Sequence, residues 1–339
     1  MNRIVPDRDA PDLIVAIRKL SRGSVTVIGD AMLDRYIYGT LDRTALETRG
    51  PILVEQREVA TPGGAGNVVR NLTALGAAVA FVAVVGDDQA GSDLTSLIGG
   101  QPGVEPWLLV QGARTTTVKT RYIADGRQLL RADREETNPV NPKLVDRMLR
   151  IAGDAMAATS VTVLSDFGKG MLAGAVPAQL IALARKAGRM VIVDSREPDY
   201  GPFAGADLIT PNRGELAAAT FMPIRTEAEI IAAATALRDR HGFGAVLVTR
   251  GADGMTLLTG EGLYRYPAEA DTVVDISGVG DTVIATIAAG LAGGLELAVA
   301  VRLSNIAAGI VVGKPGIVTA TLDELLAGRM PESIQVTEP

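Results

Sequence analysis

VTVLSDFGKGMLAGAVPAQLIALARKAGRMVIV, residues 161–193, holds two short runs of branched apolar residues on either side of a longer segment of helical period. Residues 161–164 and 190–193 are short runs rich in branched residues, apolar but for Thr162, the pattern of strands covered on both faces, and residues 177–187 space their apolar positions for one face of a helix. Strand, helix and strand in that order make a parallel unit in which the helix covers the sheet. The pattern recurs outward from this centre, with apolar runs at 25–28, 79–85 and 245–248 and a further helical segment at 227–240. The expected fold is therefore α/β, three layers deep, with a mainly parallel central sheet between helices.

Two segments interrupt the rhythm. Residues 35–60 and 108–133 carry Thr, Val, Tyr and Arg in shorter alternation, as in TTTVKTRYIADGRQLLRAD at 115–133, where Asp125 and Gly126 form a strong hairpin signal. They are expected as strands outside the main sheet, forming a small β-flap or lid. From residue 282 onward the chain is Ala-rich and helical, with no linker, so residues 1–330 are read as one domain and 331–339 as a tail.

Composition narrows the chemistry. The 339 residues are 47% hydrophobic, enough for a large core, and 33 Lys plus Arg against 39 Asp plus Glu give a net charge of −6 without a basic run. No nucleic-acid surface and no membrane patch is expected. There is no cysteine, which excludes disulfides and thiolate chemistry, and the single histidine, His241, excludes a Ser-His-Asp triad or a multi-His metal site. The N-terminal stretch lacks a signal-peptide pattern, so a cytoplasmic location is expected.

The strongest chemical signal is DISGVGDTVIATIAAGLAGG, beginning at Asp275. Gly278 and Gly280 permit a tight turn into an apolar helix whose first amides would converge beside the Asp281 carboxylate. That combination suits phosphoryl transfer, with the Gly278-Val279-Gly280 backbone stabilising charge and Asp281 accepting a proton from an attacking hydroxyl. Asp281 reads equally well as a helix N-cap. A second signal is TPGGAGNVVRNLTALG, beginning at Thr61, where Gly63, Gly64 and Gly66 allow close approach to a ligand and Asn67 offers an amide to a polyol. A dinucleotide fingerprint competes, but the turn follows no buried strand and its glycine spacing differs. In VTVIGDAMLD, Asp34 follows a strand end, where it is placed to grip two sugar hydroxyls, while Asp30 reads as a turn or capping residue. In LITPNRGE, Asn212 and Glu215 stand three apart and suit a hydrated Mg²⁺, or Glu215 simply favours the helix N-terminus.

Together these elements resemble the PfkB, or ribokinase-like, carbohydrate kinases along nearly the whole chain. The Gly63-Gly64 to Asn67 element is similar to that family's first signature and Asp275 to Asp281 to its second, with Val279 in place of the usual alanine. The resemblance implies ATP and Mg²⁺ as cofactors, a sugar held by Asp34, Gly63, Gly64 and Asn67, and Asp281 as base. It also implies Thr249, Arg250 and Gly251 near the nucleotide phosphates, Asn305 near the adenine, and Asp275 and Ser277 beside a monovalent cation such as K⁺.

Within the family, VIGDAMLDRYIYG, KTRYIADGRQLLRADRE, LSDFGKGML and AAGIVVGKPG are most similar to the kinases that phosphorylate D-glycero-β-D-manno-heptose 7-phosphate at C1. That likeness implies contacts from Lys169 to the phosphate already on the substrate and from Asp166 to the sugar, with Arg121 and Arg131 as further candidates for the phosphate that read equally well as a solvated strand face. Free ribose, fructose and fructose phosphates remain alternative acceptors, because TALETRGPILV after Arg43 departs from the usual heptose-kinase flap while keeping Glu47 and Pro51. Many heptose kinases continue into a nucleotidyltransferase with an H-x-G-H motif, which this sequence does not contain. A non-catalytic sugar or nucleotide sensor is the rival of another class, and the retained Asp281 argues against it. Exposed flap edges point to a homodimer.

Overall fold

A computed structural model of the chain describes residues 10–44, 50–270 and 272–327. The first half runs through α1 (Ala10–Lys19), β1 (Ser24–Gly29), β2 (Ala31–Thr44), β3 (Pro51–Gly64), α2 (Ala65–Ala74), β4 (Ala78–Gly86), α3 (Gln89–Gly99) and β5 (Val104–Gln111). It continues with β6 (Thr117–Ala124), β7 (Arg127–Arg134), α4 (Pro142–Ala158), β8 (Val161–Asp166), α5 (Val176–Lys186) and β9 (Met190–Ser195). The second half adds β10 (Leu208–Ile209), α6 (Arg213–Thr220), α7 (Glu227–His241), β11 (Ala245–Thr249), β12 (Met255–Thr259) and β13 (Leu263–Tyr266). Three helices close it: α8 (Val279–Ala292), α9 (Leu297–Val312) and α10 (Leu322–Ala327).

Nine strands form the main sheet in the order β13-β12-β11-β10-β9-β8-β1-β4-β5. Pairing is parallel from β5 across to β11, and only β12 and β13 are antiparallel. The expected apolar runs are its buried centre: every residue of β8 is buried, and β1 and β4 are buried except at their first residues. From β1 the chain winds outward through β4 and β5, then returns to place β8 on the other side of β1. The carboxyl ends of β1 and β8 thus flank the point where winding direction reverses, the place at which open α/β sheets leave a crevice for ligands. Helix α8 is buried from Asp281 to Gly290 and apolar there except at Asp281, Thr282 and Thr286, so it is a central helix, and its first turn sits at that crevice.

The second sheet has the order β3-β2-β6-β7. Strands β2 and β3 pair antiparallel along their whole length, and β6 turns into β7 through Asp125 and Gly126, both at positive φ (50° and 73°), as a two-residue hairpin requires. The lid boundaries differ from expectation. Residues 108–111 end β5, paired with β4 in the main sheet, because a half-exposed edge strand shows the same alternation as a lid strand. At the other end the lid begins at Ala31 and reaches Gly64, so its base is the glycine loop itself. The expected tail at 331–339, and Glu47 in the departing flap segment, lie outside the described residues. Among the described residues no helix is long and apolar enough to cross a membrane.

Candidate active site

Gly278 is the N-cap of α8, in the left-handed region at φ 77°, and its carbonyl accepts the Thr282 amide at 3.0 Å. Asp281 is therefore the third helical residue and not the cap, so its carboxylate is not engaged in closing the helix. A Cβ on Gly278 would lie 2.9 Å from the Asn67 amide nitrogen, which makes glycine necessary for space as well as for conformation. Asp281 is 6% exposed; Asn67 Nδ2 donates to its Oδ2 at 2.7 Å, and its buried Oδ1 has no partner. Burial pushes its carboxyl up to about 7, against the Asn67 bond that favours the charged form. The site thus holds a carboxylate tuned to exchange a proton near neutrality, with one oxygen open, beside first-turn amides that lack intrahelical acceptors.

One side of Asp281 is a polar pocket under the lid. Asp34 is buried against Gly63, where a Cβ would come within 1.9 Å of its Oδ2, and its Oδ1 accepts from Arg121 Nη1 at 2.5 Å. Gly64, at φ 57°, lets the Ala65 amide reach the Asp30 carbonyl at 3.0 Å and starts α2 with Asn67 facing α8. Asn67 is held from behind, with Arg70 Nη1 donating to its Oδ1 at 3.1 Å and Thr282 bonded to Asn71 one turn further on. Tyr36 Oη and Thr61 Oγ1 are buried without partners beside Asp34, on the same face of β2 and β3. Open donors and acceptors of this kind are what a polyol satisfies.

Cations surround that pocket. Lys119 lies opposite Asp34 and Arg121 opposite Tyr36 across the β2–β6 pair, with the Arg121 guanidinium 5.2 Å from the Tyr36 ring centre. Lys169 Nζ is 2.7 Å from Glu135, and Arg131, opposite Arg121 on β7 and so on the same face of the lid, pairs with Asp133 at 2.9 Å. Asp166, the expected sugar contact, is buried at the end of β8, where its Oδ1 accepts the Gly168 amide at 3.0 Å and its Oδ2 the Ser195 hydroxyl at 2.8 Å. Asp30 likewise accepts the amides of Phe167, Lys169 and Met171, and so shapes the loop that carries Lys169.

The other side is a cavity of about 670 Å³. Gly278, Val279 and Gly280 line one end, and Asn212, Glu215, Thr249, Arg250 and Gly251 line its polar wall. Asn305 lines it as well, buried with its Nδ2 on the Pro267 carbonyl at 2.7 Å, among Met255, Ala308 and Val312. Asn212 and Glu215 form a reciprocal capping box at the start of α6, and Glu215 Oε1 also accepts from Arg196 Nη1 at 2.8 Å. Both stay at the cavity wall as oxygen donors, a set suited to a cation that keeps most of its water. No group of three or more His, Cys, Asp or Glu residues stands ready for a metal among the described residues. Asp275 directs its carboxylate to the Ser277 and Gly316 amides at 2.8 and 3.0 Å, and these bonds hold its carboxyl below the usual range although burial works the other way.

Asp194, Arg196, Phe167, Lys119 and Arg70 also belong here and were not singled out from the sequence. Burial pushes Asp194 up to about 6, and Arg196 stands between it and Glu215. VIVDSR repeats the strand-end carboxylate of VTVIGD and VTVLSD, a signal sufficient to find Asp194.

The model of the pfkB family carbohydrate kinases matches residues 22–324. Proteins named "Bifunctional protein HldE" from Acidiphilium cryptum and Paramagnetospirillum magneticum are 60% and 47% identical over 327 residues, which cover 96% of this chain and 67% of each relative. The chain thus spans about two thirds of the length of these relatives. Arabidopsis thaliana ribokinase, solved with ribose and ATP, superposes with a TM-score of 0.72 at 20% identity, covering 91% of this chain and 99% of that one. Escherichia coli phosphofructokinase-2, solved with potassium, gives a TM-score of 0.74 at 20% identity and the same coverage. At that identity the likeness is one of fold.

Proposed function

Because the chain belongs to the pfkB family of carbohydrate kinases, we propose that it transfers the γ-phosphoryl group of ATP to the C1 hydroxyl of D-glycero-β-D-manno-heptose 7-phosphate. The observation that carries the chemistry is the buried Oδ1 of Asp281, left without a partner on the helix whose first turn lines the cavity. The sugar lies under the lid against Asp34, Asn67, Tyr36 and Thr61, and the nucleotide fills the cavity with its phosphates toward Gly278 and Gly280. Asp281 accepts the proton of the acceptor hydroxyl as its oxygen bonds to the γ-phosphorus. The bond from that phosphorus to the β–γ bridging oxygen breaks, and ADP leaves with the electron pair. The α8 amides stabilise the negative charge in transit.

Mg²⁺, when bound, neutralises phosphate charge, and Asn212 and Glu215 would hold it through water. Asp275 and Ser277 are the proposed neighbours of a monovalent cation such as K⁺. The heptose assignment rests on the four quoted stretches and on Lys119, Arg121 and Lys169, whose charges suit a second phosphate. Arg131, outermost of these, is proposed as a peripheral contact. The described lid leaves its β3 and β7 edges unpaired, which supports a homodimer joined through the lid. The test is coupled ADP release across a panel of heptose 7-phosphate, fructose 1- and 6-phosphates, ribose and fructose. The heptose phosphate should give the highest kcat/KM. Robust turnover of an unphosphorylated sugar, with none of the heptose phosphate, would overturn the acceptor assignment.

A further inference from the structure

We infer that Arg196 is a further catalytic residue, whose guanidinium grips the phosphoryl group in transit beside the first turn of α8. Arg196 follows β9, and its backbone amide bonds to the Asp166 carbonyl at 3.0 Å, fixing it at the crevice between the two sites. Three neighbours then orient the side chain. Nη1 donates to Glu215 at 2.8 Å, Asp194 lies 3.9 Å from Nη2, and the guanidinium carbon sits 5.3 Å from the centre of the Phe167 ring. Among the described residues Nη2 makes no hydrogen bond of its own, and it lies 3.4 Å from where a Cβ on Gly280 would be. Its free donors therefore adjoin the amides of the same turn that carries Asp281.

Charge and rigidity favour this residue over the other cations of the cavity. Arg213 is paired with Asp253, and Arg250 donates to the Asp253 carbonyl; each keeps a buried Nε without a partner, while a terminal nitrogen of each is directed to Asp253 rather than to the α8 turn. Arg196 is flanked by two carboxylates and the Phe167 face, so little reorganisation is needed when charge develops on the phosphoryl oxygens, and a planar fork matches their geometry. Phe167 also carries Lys119 of the lid, 5.9 Å from the ring centre, so one ring orients a cation toward each site.

The inference rests on the kinase reading and makes a claim of its own. A residue that touches only the transferred group contributes to binding of ATP and not of ADP. For Arg196→Met we expect kcat to fall at least about a hundredfold and affinity for the β,γ-imido analogue of ATP to fall about tenfold, with ADP affinity unchanged. Arg196→Lys, which keeps the charge without the fork, should lie between and preserves the ion pairs if the Met variant fails to fold. A kcat near that of wild type, or equal weakening of ADP and the analogue, in whichever variant folds would overturn the assignment. Wild-type protein that neither binds nucleotide nor releases ADP would instead refute the kinase reading.

Discussion

A carboxyl held at about 7 is half protonated near neutrality, and only its ionised form accepts a proton, so kcat/KM should rise with pH through about 7 and level above it. Asn67 favours the charged form through its bond to Oδ2, so Asn67→Ala should move that limb to higher pH. A limb unmoved in the variant would contradict the pairing. Stability gives a second reading of the same group. Because burial raises the folded-state value above the ordinary 3.8, the native state binds more protons than the unfolded one between about 4 and 7, and Asp281 costs stability as pH rises through that window. Melting temperatures of Asp281→Asn and wild type should thus converge near pH 4 and diverge toward pH 7, with the variant higher. Asp281, Asn67 and the two glycines were legible in the sequence because tight backbone turns restrict residue choice. Arg196 was not, since an arginine near a strand end has no local pattern of its own and its partners come from α6 and the loop after β8.

At the scale of elements, the lid is anchored where β3 ends in the glycine loop, and there a single methyl matters. A Cβ at position 63 would collide with Asp34, so Gly63→Ala should displace that carboxylate from Arg121 and raise the KM for the sugar phosphate about tenfold or more, leaving ADP binding intact. Unchanged sugar kinetics would show that Asp34 does not bind the acceptor. Lys169→Ala should also raise the KM of a phosphorylated acceptor while sparing an unphosphorylated one, because the lost contact is to a phosphate. Comparing the two acceptors in that variant checks this. The strands and helices of the main sheet were readable from continuous apolar runs, whereas the lid boundary was misplaced at 108–111. An edge strand with one wet face and a lid strand share one periodicity, and only pairing with β4 separates them.

On the scale of the whole molecule, the winding of the sheet brings residues far apart in the chain to one carboxylate: Asn67 from α2, Asp34 from the lid, Arg196 after β9. The same architecture leaves β7 exposed along its length, with Leu129 and Leu130 toward solvent. Light scattering should report a dimer, and Leu130→Glu should shift it toward monomer if the lid edge is the interface. The central claim is that the sugar pocket and the nucleotide cavity meet at Asp281, which acts as base. Its most direct test is the turnover of Asp281→Asn with saturating ATP and heptose 7-phosphate, alongside ADP binding by the same variant. The account predicts that kcat falls at least about a hundredfold while ADP binds as in wild type. Turnover within a few-fold of wild type would contradict it.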